Sequence, residues 1–163
     1  MSQNPHTYQQ WMDCFRCLEA NPRDVAMLEQ VRGGTYSGTP SELFLSRLSD
    51  TVSVMLSGCT RNFLQQLDQA LADGEPDMAV LLAKRLRRQL RDSMFYRDLS
   101  FVSQTYIQTL DEGFACQLQA FWQDFLKKLN QSARESMDPR FEDMAQDLRR
   151  IRLVESNGSE TIL

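Results

Sequence analysis

Between Thr39 and Pro76 the chain reads TPSELFLSRLSDTVSVMLSGCTRNFLQQLDQALADGEP. Leu45, Leu48, Val52, Leu56, Cys59, Phe63, Leu67 and Ala70 recur in steps of three and four. At 100° per residue this spacing keeps them on one side of a helix for about seven turns. A strand would alternate with a step of two, and no such run is present. So long a helix with one apolar edge must hide that edge against other helices, which predicts an all-α bundle. Thr39-Pro40-Ser41-Glu42 reads as a capping box that starts the helix. Asp73-Gly74-Glu75-Pro76 combines a glycine stop with a proline restart, so the chain should reverse there.

The same periodicity extends on both sides of this segment. Ala79, Leu82, Leu86, Leu90 and Met94 share one face of a helix expected over about 76–94. Arg97-Asp98-Leu99-Ser100 offers a break, with Asp98 or Ser100 as the next cap. Val102, Tyr106, Leu110, Phe114, Leu118, Phe121, Phe125 and Leu129 then mark another long helix. Toward the N-terminus, Asn4-Pro5 reads as a cap and first turn, followed by the stripe Tyr8, Trp11, Phe15, Leu18. Asn21-Pro22 repeats the signal before Val25, Leu28 and Val31, and Gly33-Gly34 ends that helix. Asp138-Pro139 starts a last helix carrying Phe141, Met144, Leu148 and Ile151 to about Val154.

The expected architecture is therefore an all-α antiparallel bundle: about three long helices, a short N-terminal hairpin and a C-terminal helix. One helical domain should cover 1–154, with the hairpin at 1–32 and the main bundle at 40–154. Residues 155–163 read as a flexible tail. Gly33 to Thr39, with three glycines, reads as a flexible, hinge-like connection. The aromatic residues of the first and fifth helices should supply much of the core.

At 163 residues, 42% hydrophobic and 25% charged, the chain can bury a sizeable core. Its net charge of -4 argues against a surface given over wholly to nucleic acid. No apolar run reaches the roughly 18 residues of a membrane span, and Met1-Ser2-Gln3-Asn4-Pro5 lacks the pattern of a signal peptide. The expected setting is the cytoplasm, with no membrane.

Sites of chemistry are hard to assemble from these residues. Cys14-x-x-Cys17 lacks the second ligand pair of a zinc site, and Cys59 and Cys116 are distant. A thioredoxin-like role needs that motif after a strand, whereas here it falls inside a helix. His6 is the sole histidine, which removes HExxH and paired ExxH metal sites. Gly33-Gly34-Thr35-Tyr36-Ser37-Gly38 follows a helix, where a phosphate loop would follow a strand. The carboxylate pairs Asp143 with Asp147 and Asp68 with Glu75 read as solvated helix faces. Tyr106, Cys116 and Trp122 could line a small-molecule pocket, but aromatics at helical spacing more often form plain core. No catalytic, cofactor or metal residue is assigned, and no cofactor is expected.

The most informative cluster is Lys84-Arg85-Leu86-Arg87-Arg88-Gln89-Leu90-Arg91. Leu82, Leu86 and Leu90 take one arc, while Lys84, Arg87, Arg88 and Arg91 fill an arc on the opposite side. Four cations displayed together in an acidic protein suit phosphates, an acidic partner or an acidic face of a second copy. The competing reading is a solvated face whose arginines pair with acids on neighbouring helices. Arg149-Arg150-x-Arg152 is a smaller cluster that the helix dipole explains. These residues lead to the expectation of a non-enzymatic regulatory or adaptor protein. It would present helix surfaces to another protein with an acidic surface, with homodimerisation as one form of this. The alternative is a nucleic-acid-associated regulator using the same Lys84, Arg87, Arg88, Arg91 face on phosphates.

Overall fold

The computed structural model describes residues 4–156 and 159–162. It is all-α apart from a small C-terminal ribbon. Helix α1 spans Tyr8–Ala20, α2 Val25–Arg32, α3 Glu42–Ala72 and α4 Met78–Ser93. A 3-10 turn at Phe95–Asp98 leads to α5 at Gln104–Glu135 and α6 at Pro139–Arg149. Strands β1 (Arg152–Ser156) and β2 (Ser159–Ile162) pair antiparallel, Glu155 opposite Glu160. Among the described residues no helix is long and apolar enough to cross a membrane.

The long helices lie close to where periodicity puts them, but their starts are set by different caps. Thr7, not Asn4, caps α1, and its hydroxyl and the Gln10 side chain form the capping box. Asp24 rather than Asn21 caps α2, accepting from the Met27 amide at 3.1 Å. At α3 the Ser41 hydroxyl takes the Phe44 amide at 3.2 Å, in place of the Thr39–Glu42 box. The Ser103 hydroxyl serves the start of α5, accepting from the Tyr106 amide. Each capping side chain of this kind is polar and short, and several adjacent ones compete, so the fold picks the one that leaves the apolar stripe buried. Asp138 with Pro139 at the first turn of α6 is as expected. Gly74, at φ +74°, closes α3 in the left-handed conformation that glycine tolerates.

The C-terminal end departs from expectation. Helix α6 stops at Arg149, short of Val154, and Arg152–Ser156 is a strand. Ile151, Leu153 and Val154 suit a strand as well as a helix. Leu153 is buried. The segment 155–163, expected as a flexible tail, contributes the end of β1 and all of β2; residues 157, 158 and 163 lie outside the described set.

The chain forms two compact units, Met1–Gly58 with Arg91–Phe114, and Cys59–Leu90 with Ala115–Leu163. The division falls within α3, α4 and α5 rather than at the glycine-rich loop. In the first unit Trp11, Phe15, Phe44 and Phe101 meet at centroid distances of 5.5–5.8 Å, and Tyr36 stacks on Phe101. The Tyr106 hydroxyl donates to the Leu45 carbonyl at 2.7 Å, tying α5 to α3 there. In the second unit Phe63 of α3 packs on Trp122 and Phe125 of α5. Burying such rings provides the largest apolar areas available to either unit.

The glycine-rich stretch is packed at its start, Gly33 to Tyr36, while Gly38 stands in open space. A Cβ on Gly34 would sit 2.5 Å from Trp11 Cζ2, so only glycine lets the backbone pass under the indole. The Trp11 Nε1–H donates to the Thr35 carbonyl at 2.7 Å, and the Thr35 amide donates to the Pro5 carbonyl at 2.9 Å. His6 is exposed, and its Nδ1 lies 2.6 Å from the Thr35 hydroxyl.

Candidate functional site

Helix α4 owes its orientation to its apolar arc: Ala79, Leu82, Ala83, Leu86 and Leu90 are all buried. The opposite arc must then face solvent. Lys84, Arg85, Arg88 and Arg91 are exposed and Arg87 is half-buried. Lys84 to Arg88 belong to the second unit, while Arg91, one turn on along the same helix, falls in the first.

Among the described residues no carboxylate stands within ion-pair distance of any of these five cations. Among the described residues the surface pairs are elsewhere: Arg16 with Asp13, Arg32 with Asp92 and Asp98, Arg47 with Glu19, Lys128 with Asp124, Arg140 with Asp138. The competing reading narrows to a solvated basic face without close ion pairs to neighbouring helices. Lys84, Arg85, Arg87 and Arg88 share one short helical face of the second unit with no ion pair among the described residues, which concentrates positive field there.

A second feature lies at the other end of α4. Pro76, Asp77 and Val80 line a groove of about 310 Å³ with Arg140, Asp143, Met144 and Asp147 of α6. The pair Asp143 and Asp147, read from sequence as a plain solvated face, thus borders a groove, because i and i+4 on α6 fall on the side turned to the start of α4. Arg140 is held by Asp138, which it contacts at 2.9 Å. That bond, with its backbone counterpart, keeps the Asp138 carboxyl below the usual carboxylate range. Asp77, Asp143 and Asp147 make no ion pair among the described residues. A second groove, about 340 Å³, lies between α5 and α6 and is lined by Asn130, Arg134, Glu142 and Arg149, with Arg149 bonded to Asn130.

Sequence reading missed a buried polar trio in the first unit. Asp111 of α5 is buried, accepts from the Tyr96 hydroxyl at 2.5 Å and from Arg97 Nε at 2.8 Å. Burial first, and then the Asp111 carboxylate it serves, push the Tyr96 hydroxyl well above the ordinary tyrosine range. The trio ties the 3-10 turn to α5, and a carboxylate at a helical position between Leu110 and Phe114 was the one available signal. Arg97 Nη2 lies buried without a partner, a cost that the pairing through Nε offsets.

The other sequence candidates do not converge. Cys14 is buried and Cys17 exposed, and none of the four cysteines is in a disulfide. Burial, then Cys17 and Asp13 nearby, push the Cys14 thiol up to about 11, away from the thiolate form that redox and metal chemistry need. Trp122 is enclosed by Phe63, Phe121 and Phe125, Cys116 is exposed, and the Tyr106 hydroxyl is taken by Leu45. Each has its own structural place. No group of three or more histidine, cysteine or carboxylate residues able to hold a metal occurs among the described residues. No protein-family model matches this chain, and no curated protein or solved structure is significantly similar to it.

Proposed function

We propose that the protein is a non-enzymatic regulatory or adaptor protein of the cytoplasm, working through the exposed face of α4 on an acidic protein surface. The observation that carries this reading is the set of uncompensated cations Lys84, Arg87, Arg88 and Arg91 on one face of a chain whose net charge is -4. A rigid amphipathic helix holds them at fixed spacing, so a partner meets a preformed charge pattern and loses little entropy in ordering it. Rim charges of this kind raise association rates and set which partner is rejected. A second copy of the chain is one such partner.

The test compares the unmodified protein with an Arg87→Gln, Arg88→Gln, Arg91→Gln variant. Binding of a labelled oligoglutamate peptide and of a random-sequence DNA duplex is measured at low and physiological ionic strength. We expect peptide binding that weakens with salt and falls at least about ten-fold in the variant, as three pairs of about 0.5 kcal/mol each imply. Duplex binding that exceeds peptide binding and falls with the same variant would transfer the face to nucleic acid. Binding of neither ligand at low salt would end the proposal.

A further inference from the structure

Within the second unit the two ends of α4 carry opposite charge: the groove at its start sets three carboxylates against one cation, Arg140, which is itself bonded to Asp138. The basic half holds Lys84, Arg87 and Arg88; the start borders the groove with Asp77, Asp143 and Asp147. Between them Leu81 is 44% exposed and Val80 is half-buried, two apolar side chains on the solvent side of an otherwise charged face. We propose that the occupant of this face is a second copy of this chain, with the two α4 helices antiparallel about a two-fold axis between Leu81 and Lys84. The inference rests on the reading of the α4 face as a protein contact, and names the partner.

The geometry follows from helix dimensions. Asp77 and Arg88 lie 5.5 residues on either side of that centre, about 8 Å each way at 1.5 Å per residue. Reversing one α4 against the other therefore brings Arg87 and Arg88 of each copy over the groove at the start of its partner's α4. The contact is isologous, so it is made twice. Leu81 of each copy comes opposite the Lys84 stem of the other, where its apolar surface leaves water. A parallel arrangement would set cations on cations and is excluded by repulsion.

Three species test it by light scattering after gel filtration at low and high salt. The unmodified protein should run at twice the monomer mass at low salt and shift toward monomer at high salt. Arg87→Glu with Arg88→Glu should be monomeric, and so should Asp143→Arg with Asp147→Arg. An equimolar mixture of these two variants should recover the doubled mass, because both reciprocal contacts become attractive again. Circular dichroism verifies that each variant is helical, and Arg88→Glu alone, at an exposed position, serves if the double changes disturb folding. A monomer at low salt for the unmodified protein overturns the inference; if oligoglutamate still binds, the α4 face keeps its role with a different partner. A dimer that survives both charge reversals, or a mixture that stays monomeric, overturns it as well.

Discussion

Replacing Gly34 by alanine separates a packed loop from a flexible one by the sign of the effect. In a mobile connection, glycine to alanine reduces the freedom of the unfolded chain and stabilises by about 0.4–1 kcal/mol. Here the new methyl would stand 2.5 and 2.8 Å from Trp11 Cζ2 and Cη2 and 3.0 Å from Pro5 Cγ. The indole has no room to retreat: Trp11 is fully buried among Phe15, Phe44 and Phe101. Overpacking of this kind costs about 1–3 kcal/mol. Displacing the ring also breaks the 2.7 Å bond from Trp11 Nε1 to the Thr35 carbonyl, for about 1 kcal/mol more. The net loss is about 2–4 kcal/mol, and Tm should fall by roughly 5–15 °C for a chain of this size. Thermal melts followed by circular dichroism measure it, and tryptophan emission in a Trp122→Phe background should shift to the red as Trp11 loosens. Gly113→Ala is the control. It meets nothing within 4 Å inside α5 and should stabilise by about 0.5–1 kcal/mol. An unchanged or raised Tm for Gly34→Ala would refute the packed-loop reasoning.

Three further outcomes are expected. Asp111→Ala should cost about 2–3 kcal/mol in urea unfolding, since it leaves the buried Tyr96 hydroxyl without its acceptor and removes the partner of the part-exposed Arg97, and Tyr96→Phe should cost a similar amount, about 1.5–3. Because the folded state holds Tyr96 protonated above its ordinary range, this group's stabilising contribution is complete below about pH 10 and declines as pH rises above it; Tyr96→Phe should flatten that part of the stability profile. Titration of native protein with a thiol reagent should modify Cys17 and Cys116 quickly, and Cys14, with its thiol pushed up to about 11 and its side chain buried, only on unfolding; rapid modification of Cys14 would contradict the packing of α1.

Read alone, the order of residues was enough for the helical class, the three long helices and the solvent-facing cations of α4. All depend on the repeat of apolar positions along the chain, which is a local property and so is written in the sequence. The line of burial in α5 shows the limit of that signal. Tyr106 and Phe121 fit the repeat, yet Ile107 and Trp122, one step round the helix, are the buried members and those two flank the core. A one-residue rotation changes periodicity little, yet it decides that Trp122 is fully buried against Phe63 while Phe121 touches the same ring from a half-buried position.

What only the folded structure decided are the relations between residues far apart in the chain. Gly34 is a contact for Trp11, Asp111 is a partner for Tyr96 and Arg97, and Asp143 and Asp147 share a groove with Asp77. Whether the arginines of α4 found internal partners also depended on where other helices placed their carboxylates, and the fold left those cations to the solvent. Periodicity states which side of a helix is apolar; which neighbour covers that side follows from packing, where shape and charge are matched between segments that the sequence does not place together.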